Sequence, residues 1–485
     1  MNKVILVGLD GFRPEMLDPA TTPNLAALAH DGLRFGRFRA VFPSDTYVNL
    51  VSLATGRPPG GHGIVANAFL DPRIDRRQAW SGSRLDLVEA GMAAYRGALV
   101  DAPTLGDRLA AAGRRLWVLS SNSAGSARLK HPRVAGCAGH LLLAAKDWAS
   151  SLPRALAAQL AERLGPPPAP VPGDAAPERY LTEAFLLLAR EAPLPDATLL
   201  WFDEPDRSYH AYGLGAAATL AALRAADAEL GRLLDWRSSR PDRAEIQILV
   251  LSDHGHVTQS GRVDCAGIFR AAGLRVAEHL EEGADLALVP GYSGNLRVRG
   301  GDPGRLAAAA EALMAHPEAG LVFTRGGPGP EGAVPGTFGL ALAGLDHARA
   351  PDLFFTLGAD DRADPYGFLG TCRHDDALPD GVGYHGGLHP GEMGALLLAS
   401  GEAFAGGRES ALPASIVDLL PTVLSLLGLP TAGTAGRVLG EAFGPGETAP
   451  AETQVFRASR GRYVQELRTL SLGRHRYLDC GRRVS

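Results

Sequence analysis

"MNKVILVGLDG", residues 1–11, carries the reading that decides the fold. Positions 4–7 are apolar without alternation, so a strand here must be covered on both faces. The run stops at a carboxylate, Asp10. The pattern returns in "RLWVLS" (115–120), "ATLLWFD" (197–203) and "EIQILVLSD" (245–253). Between these runs lie Ala/Leu-rich helical stretches: "TPNLAALAHDG" (22–32), "TLGDRLAAAG" (104–113) and "AATLAALRAADAELGRLLDW" (217–236). Doubly buried strands alternating with helices predict an α/β fold with a mainly parallel central sheet. Ligands of such sheets bind beyond the carboxyl ends of the strands. Three of these strands run into Asp there: Asp10, Asp203 and Asp253.

At 485 residues the chain is long for one compact unit, so an elaborated domain or two domains are expected. With a net charge of −5, nothing in the composition suggests a nucleic-acid-coating or membrane-surface protein. "IVDLLPTVLSLLGLP" (416–430), the most apolar later segment, is interrupted by Asp418 and Pro421 and predicts no transmembrane helix. The N-terminus lacks the apolar core and cleavage site of a signal peptide, so a soluble cytoplasmic protein is expected. Cys137, Cys265, Cys372 and Cys480 form no CxxC pair, which argues against a cysteine zinc site; unpaired thiols are expected.

A catalytic core is expected over residues 1–265 and 385–443. A small α/β cap subdomain would be inserted at 266–384, where "GNLRVRG", "DPGRLAAAAEALMAHP" and "GLVFTRG" read as strand, helix, strand. "GGPGPEGAVPG" (326–336) is a turn-rich loop. Residues 444–485 read as a linker, "GPGETAPAET", followed by a hairpin, "RYVQELRTLSLGRHRYLD" (462–479).

The polar residues at the strand ends form a set. "FDEPDRSYHAYG" supplies Asp206 and His210, "LSDHGH" supplies Asp253 and His254, and "GYHGGLHPGEMG" supplies His385, with His389 as an extra candidate. With Asp10 this makes three Asp and three His without His389. That is too many ligands for one tetrahedral ion and enough for two divalent first-row ions. In "VFPSDTYVNLVSLATGRPPGGHGIVAN" (41–67), Ser44 or Asp45 is expected to cap a helix from about Thr46 to Ala54, ended at Gly56 and Pro58. Thr46 then stands at the positive end of that helix, a natural seat for phosphate or sulfate.

These stretches, in this order and with "VGLDGFRPEML" and the closing "DLLPTVLSLLGLP…GRVLGEAF", resemble the type I phosphodiesterase/nucleotide pyrophosphatase family of the alkaline phosphatase superfamily. The resemblance covers the core and little of the insert or tail. It implies an alkaline-phosphatase-like three-layer sandwich and two divalent ions, usually Zn²⁺, with Mn²⁺ or another first-row ion as the substitute. One ion would be held by Asp206, His210 and His385, the other by Asp10, Asp253 and His254 with the Thr46 oxygen; His389 falls outside both sets. The resemblance also implies Thr46 as the nucleophile that forms a phosphothreonine, Asn67 as a phosphate ligand, and Tyr47 as a residue that stacks on a nucleotide base. Ordinary helix packing is the competing account of Tyr47. The expected partner is a small phosphate ester, with no membrane or nucleic-acid surface.

The chain departs from the family at Asp45, where many nucleotide-cleaving members carry Lys, and at Leu50, where a His often follows the helix Asn. A sulfatase would need a Cys or Ser at position 46. A phosphonoacetate-hydrolase-like phosphonatase would bind a substrate carboxylate with lysines, here Lys130 and Lys146, or with Arg128 and Arg133 of "SARLKHPR". A phosphomonoesterase and an inactive binding scaffold complete the alternatives.

Overall fold

The computed structural model describes residues 2–280, 283–327, 329–444 and 450–485. Its centre is an eight-stranded sheet in the order Arg408–Ser410, Leu33–Phe35, Leu397–Ser400, Ile246–Leu251, Lys3–Leu9, Ala197–Phe202, Leu116–Ser120, Leu141–Ala144. The five strands from Ile246–Leu251 to Leu141–Ala144 are mutually parallel. Leu397–Ser400 runs antiparallel to its neighbours. The strand that opens the chain therefore lies inside the sheet, and its carboxyl end is flanked by those of Ala197–Phe202 and Ile246–Leu251.

Because side chains alternate along a strand, Lys3–Leu9 builds two cores at once. Ile5, Val7 and Leu9 pack with Phe185, Leu223 and Leu230 of the helices Ala176–Glu191 and Ala217–Ser239. Val4 and Leu6 point the other way, toward Leu50 and Leu53 of the helix Thr46–Thr55 and Leu420 and Val423 of Leu419–Leu426. Helices on both faces of the sheet give the expected three layers. Gly8 lies opposite Trp201 in the register. A methyl group there would fall 2.1 Å from the indole ring, so this position admits no side chain while Trp201 keeps its place.

Val257–Arg262 leaves the core and pairs with Leu369–His374 and Gly383–Tyr384 of the intervening region. The strands Leu286–Val289, Ser293–Val298, Ala319–Thr324 and Leu353–Leu357 belong to a separate six-stranded sheet, with the helix Pro303–Ala315 between the second and third of them. The chain end differs from the hairpin expected. It forms three antiparallel strands, Ala451–Arg460, Tyr463–Leu472 and His475–Arg483. Two tight turns at Gly461 and Gly473, both at positive φ, extend the hairpin by one strand. This unit docks on the six-stranded sheet: Tyr463 Oη donates to Gly320 O, and the Gln465 side chain bonds both polar backbone atoms of Val322. Of the expected linker 444–453, residues 445–449 lie outside the described residues.

All four cysteines are free. Among the described residues no helix is long and apolar enough to cross a membrane. Gly8→Ala should cost about 1–3 kcal/mol by overpacking, read as a lower urea midpoint at unchanged slope. An unchanged midpoint would show that Trp201 can yield its position.

Candidate active site

Two groups of donor atoms meet at the carboxyl edge of the sheet. In the first, Thr46 Oγ1 lies 3.0 Å from His254 Nε2 and 3.5 Å from Asp10 Oδ1. His254 Nε2 is 3.5 Å from Asp10 Oδ1 and 3.5 Å from Asp253 Oδ2. In the second, Asp206 Oδ1 has three imidazole Nε2 atoms around it: His256 at 3.1 Å, His210 at 3.4 Å and His385 at 3.5 Å. The two groups touch, since the His254 and His385 rings stack with centroids 3.8 Å apart. The strand-end residues Asp10, Asp206, His210, Asp253, His254 and His385 are thus brought together with Thr46. His389 stands apart; its Nδ1 accepts from Gly391 N in the turn Pro390–Met393, and its Nε2 lies 3.0 Å from Asp361.

The donors are held from behind. His254 Nδ1 faces the Gly255 carbonyl at 3.0 Å and His385 Nδ1 the Ser44 carbonyl at 2.9 Å. A carbonyl can only accept, so each Nδ1 carries the proton and each Nε2 turns a lone pair toward the carboxylates. Asp253 Oδ1 accepts from the Gly11 and His254 amides, which leaves Oδ2 for the site. Asp10 Oδ2 accepts from Trp201 Nε1 and from Asn122 Nδ2. Asn122 in turn donates to Asp203 and accepts from Lys130, whose ammonium also donates to Ser120 and Ser126. Burial lowers the Lys130 ammonium to about 7.

The start of the helix Thr46–Thr55 corrects the expected capping. Asp45 occupies the N-cap position, but neither it nor Ser44 bonds the first-turn amides. Ser44 Oγ donates to Gly387 O and accepts from Gly386 N, fastening the His385 loop. Asp45 Oδ2 accepts from Asn67 N, and Asn67 Oδ1 accepts from Tyr47 N. The cap therefore comes from Asn67, 20 residues along the chain. Burial raises the Asp45 carboxyl to about 6. Two donors are left over at the helix start: among the described residues, neither Thr46 N nor Asn67 Nδ2 donates to a protein group. Tyr47 is partly buried and packs against the core cluster that includes Val48 and Trp80.

Sequence reasoning passed over two residues. Asn122 had no motif around it to mark it. His256 was in view in "LSDHGH", two positions past His254, and that spacing was the available signal.

A structural test for divalent ions is the demand the donor set makes. Buried Asp206 Oδ1, Asp253 Oδ2 and His256 Nε2 lack a hydrogen-bond partner of normal geometry, and each such atom costs about 1–3 kcal/mol. Burial, then Asp253, Asp206 and Asp203, push the Asp10 carboxyl well above its usual range. Burial, then His254 and His256, push His385 well below the ordinary imidazole value. The spacing agrees: bonds of about 2.0 Å in a tetrahedron separate donors by about 3.3 Å, and the contacts above run from 3.0 to 3.5 Å. The residues fit two divalent ions.

The family model for type I phosphodiesterase / nucleotide pyrophosphatase matches residues 4–354. Venom phosphodiesterase 2 of Crotalus adamanteus is 26% identical over 260 residues, 52% of this chain and 26% of that protein. Ectonucleotide pyrophosphatase/phosphodiesterase family member 3 of Mus musculus is 24% identical over 257 residues, 52% of this chain and 24% of that protein. The matches thus span about a quarter of those relatives' length. Among solved structures, murine ectonucleotide pyrophosphatase/phosphodiesterase 5, in an inactive form with AMP, superposes with a TM-score of 0.62 at 19% identity, covering 90% of this chain and 97% of that one. That likeness concerns the fold.

Removal of Asn122 from behind Asp10 should weaken metal binding about 10–100-fold, as loss of such a supporting bond commonly does. Asn122→Ala protein, titrated with zinc against a competing chelator, should show this loss at one site while the other keeps its affinity. Equal affinities in variant and parent would mean that Trp201 alone orients Asp10.

Proposed function

The chain belongs to the type I phosphodiesterase/nucleotide pyrophosphatase family, and we propose that it hydrolyses phosphate diesters or nucleotide pyrophosphates with Thr46 as the nucleophile. The observation that carries the proposal is the position of Thr46 Oγ1. It stands at the N-terminus of a ten-residue helix, 3.0 Å from His254 Nε2 and 3.5 Å from Asp10 Oδ1, inside a set of buried donors.

On this reading Asp10, Asp253, His254 and Thr46 Oγ1 hold one divalent ion, and Asp206, His210 and His385 the other. When bound, such ions supply Lewis-acid charge that favours ionisation of a hydroxyl and offsets the charge of a phosphoryl group. The residues of the chain do the rest. The helix start aims Thr46 Oγ1 at an anion site. Thr46 N–H and Asn67 Nδ2–H stabilise the phosphoryl oxygens as charge builds on them. Asn67, whose N–H donates to Asp45 and whose Oδ1 accepts from the Tyr47 amide, keeps that pair in register with the nucleophile. Thr46 Oγ1 displaces the leaving oxygen to give a phosphothreonine, which water then hydrolyses.

The diester reading is favoured over a phosphonate bearing a carboxylate. The cations that would hold such a group are engaged: Lys130 is buried among three acceptors, Lys146 pairs with Asp203, Arg128 with Glu89 and Arg133 with Asp107.

Thr46→Ala should fold normally, because Asn67 caps the helix, and should lose turnover of bis-p-nitrophenyl phosphate by orders of magnitude. Thr46→Ser should keep appreciable activity. Two displacements at phosphorus imply retention with a chiral thiophosphate diester. Inversion, or a fully active Thr46→Ala protein, would sink the covalent mechanism.

A further inference from the structure

The second donor group holds one imidazole more than the family resemblance implies. His256 is wholly buried. Its Nδ1 lies 3.2 Å from the Gly11 carbonyl oxygen, so Nδ1 carries the proton and Nε2 presents a lone pair. That lone pair faces Asp206 Oδ1, also an acceptor, at 3.1 Å, and neither atom has a hydrogen-bond partner of normal geometry. Two acceptors held this close away from water repel each other unless a cation lies between them.

Nothing relaxes the contact sterically. Gly11 leaves room for the ring, since a methyl group there would fall 2.4 Å from His256 Cε1, and Gly11 itself sits at φ +69°. Tyr209 packs edge-on against the other side, with ring centroids 4.8 Å apart. The build repeats that of His254 and His385: Nδ1 on a backbone carbonyl, Nε2 turned inward. One donor atom each from Asp206, His254, His256 and His385 lies within 4.8 Å of all the others.

We infer that His256 Nε2 is a further donor to the second ion, whose protein ligands are then Asp206, His210, His256 and His385. The inference rests on the two-ion reading above. A set of three imidazoles and one carboxylate selects zinc, cobalt, nickel, copper or iron over magnesium and calcium. Four protein donors also close a tetrahedral ion, so a substrate oxygen would enter as a fifth ligand. The second site should therefore bind its ion tightly and be five-coordinate when engaged.

The test is cobalt binding to the full chain, followed by visible absorption and competition with a chelator. The parent should take up two ions. His256→Gln should still bind both at saturation, with one bound at least a hundredfold more weakly, and with the bands of that ion altered by the lower coordination number. Two ions, an unaltered spectrum and affinities within a few-fold of the parent would overturn the inference and leave the two-ion reading standing. A parent that takes up fewer than two ions would overturn both. Should His256→Gln fail to fold, cadmium-loaded parent protein with ¹⁵N-labelled histidine decides. Metal coupling to four Nε2 atoms supports the inference, and coupling to three overturns it.

Discussion

The site depends on one carboxylate whose two oxygens face opposite ways. Asp10 ends a strand buried on both sides, so its side chain emerges where no water can reach it. Oδ2 is satisfied from behind by the Trp201 indole and the Asn122 amide. Oδ1 is left facing Thr46 and His254. The arrangement holds because Trp201 comes from the adjacent parallel strand, opposite Gly8, and only a glycine there lets the indole lie flat against the strand. Packing and chemistry share one contact: the indole that fills the core also orients the carboxylate.

The remaining donors reach the same place through loops tied to one another. Ser44, Gly386, Gly387 and buried Glu392 form one hydrogen-bonded knot that joins the segment before Thr46 to the segment carrying His385. Tyr292 Oη, from the intervening region, donates to Glu392 at 2.6 Å. The intervening region is thus coupled to the loop that presents His385, and its strands also pair with the chain just after His256. It supplies none of the donors, yet it braces two of the segments that do.

What the chain declares in sequence follows from what is local. Strands apolar on both faces, and carboxylates at their ends, are written in single stretches, so the parallel sheet and the strand-end Asp residues were legible. Thr46 was legible because a helix start has a local signature. The Asn67 cap was not, because the two residues are separated by a helix and a loop, and Ser44 and Asp45 looked sufficient by themselves. In the fold both are drawn off by stronger partners, Glu392 with Gly387 for one and the Asn67 amide for the other. Asn122 is one polar residue after a strand and acquires meaning only from Asp10 on a neighbouring segment. His256 was hidden by its neighbour: once His254 accounts for the motif, a second histidine reads as incidental until Gly11 O and Asp206 are seen on either side of it. The first strand of the tail, Ala451–Arg460, was missed because it is exposed along nearly its whole length, without the alternation that marks a half-buried strand.

Electrostatics explain why these separate features belong together. Asp10, Asp45, Asp203, Asp206 and Asp253 crowd one edge of the sheet, and the nearby cations, Lys130, Lys146 and Arg207, are turned toward Asn122, Asp203, Glu178 and Glu204. Left to itself such an edge repels a phosphate. On the two-ion reading proposed above, the same carboxylates, with imidazoles whose Nε2 atoms all face inward, would attract divalent charge, and that charge would reverse the sign of the field a phosphoryl group meets. The two N–H groups at the helix start would then add direction to an attraction they could not create alone. Asp45 belongs to the same negative edge: burial raises its carboxyl only to about 6, so it stays largely ionised at neutral pH, and the Asn67 amide that donates to Oδ2 meets part of that charge.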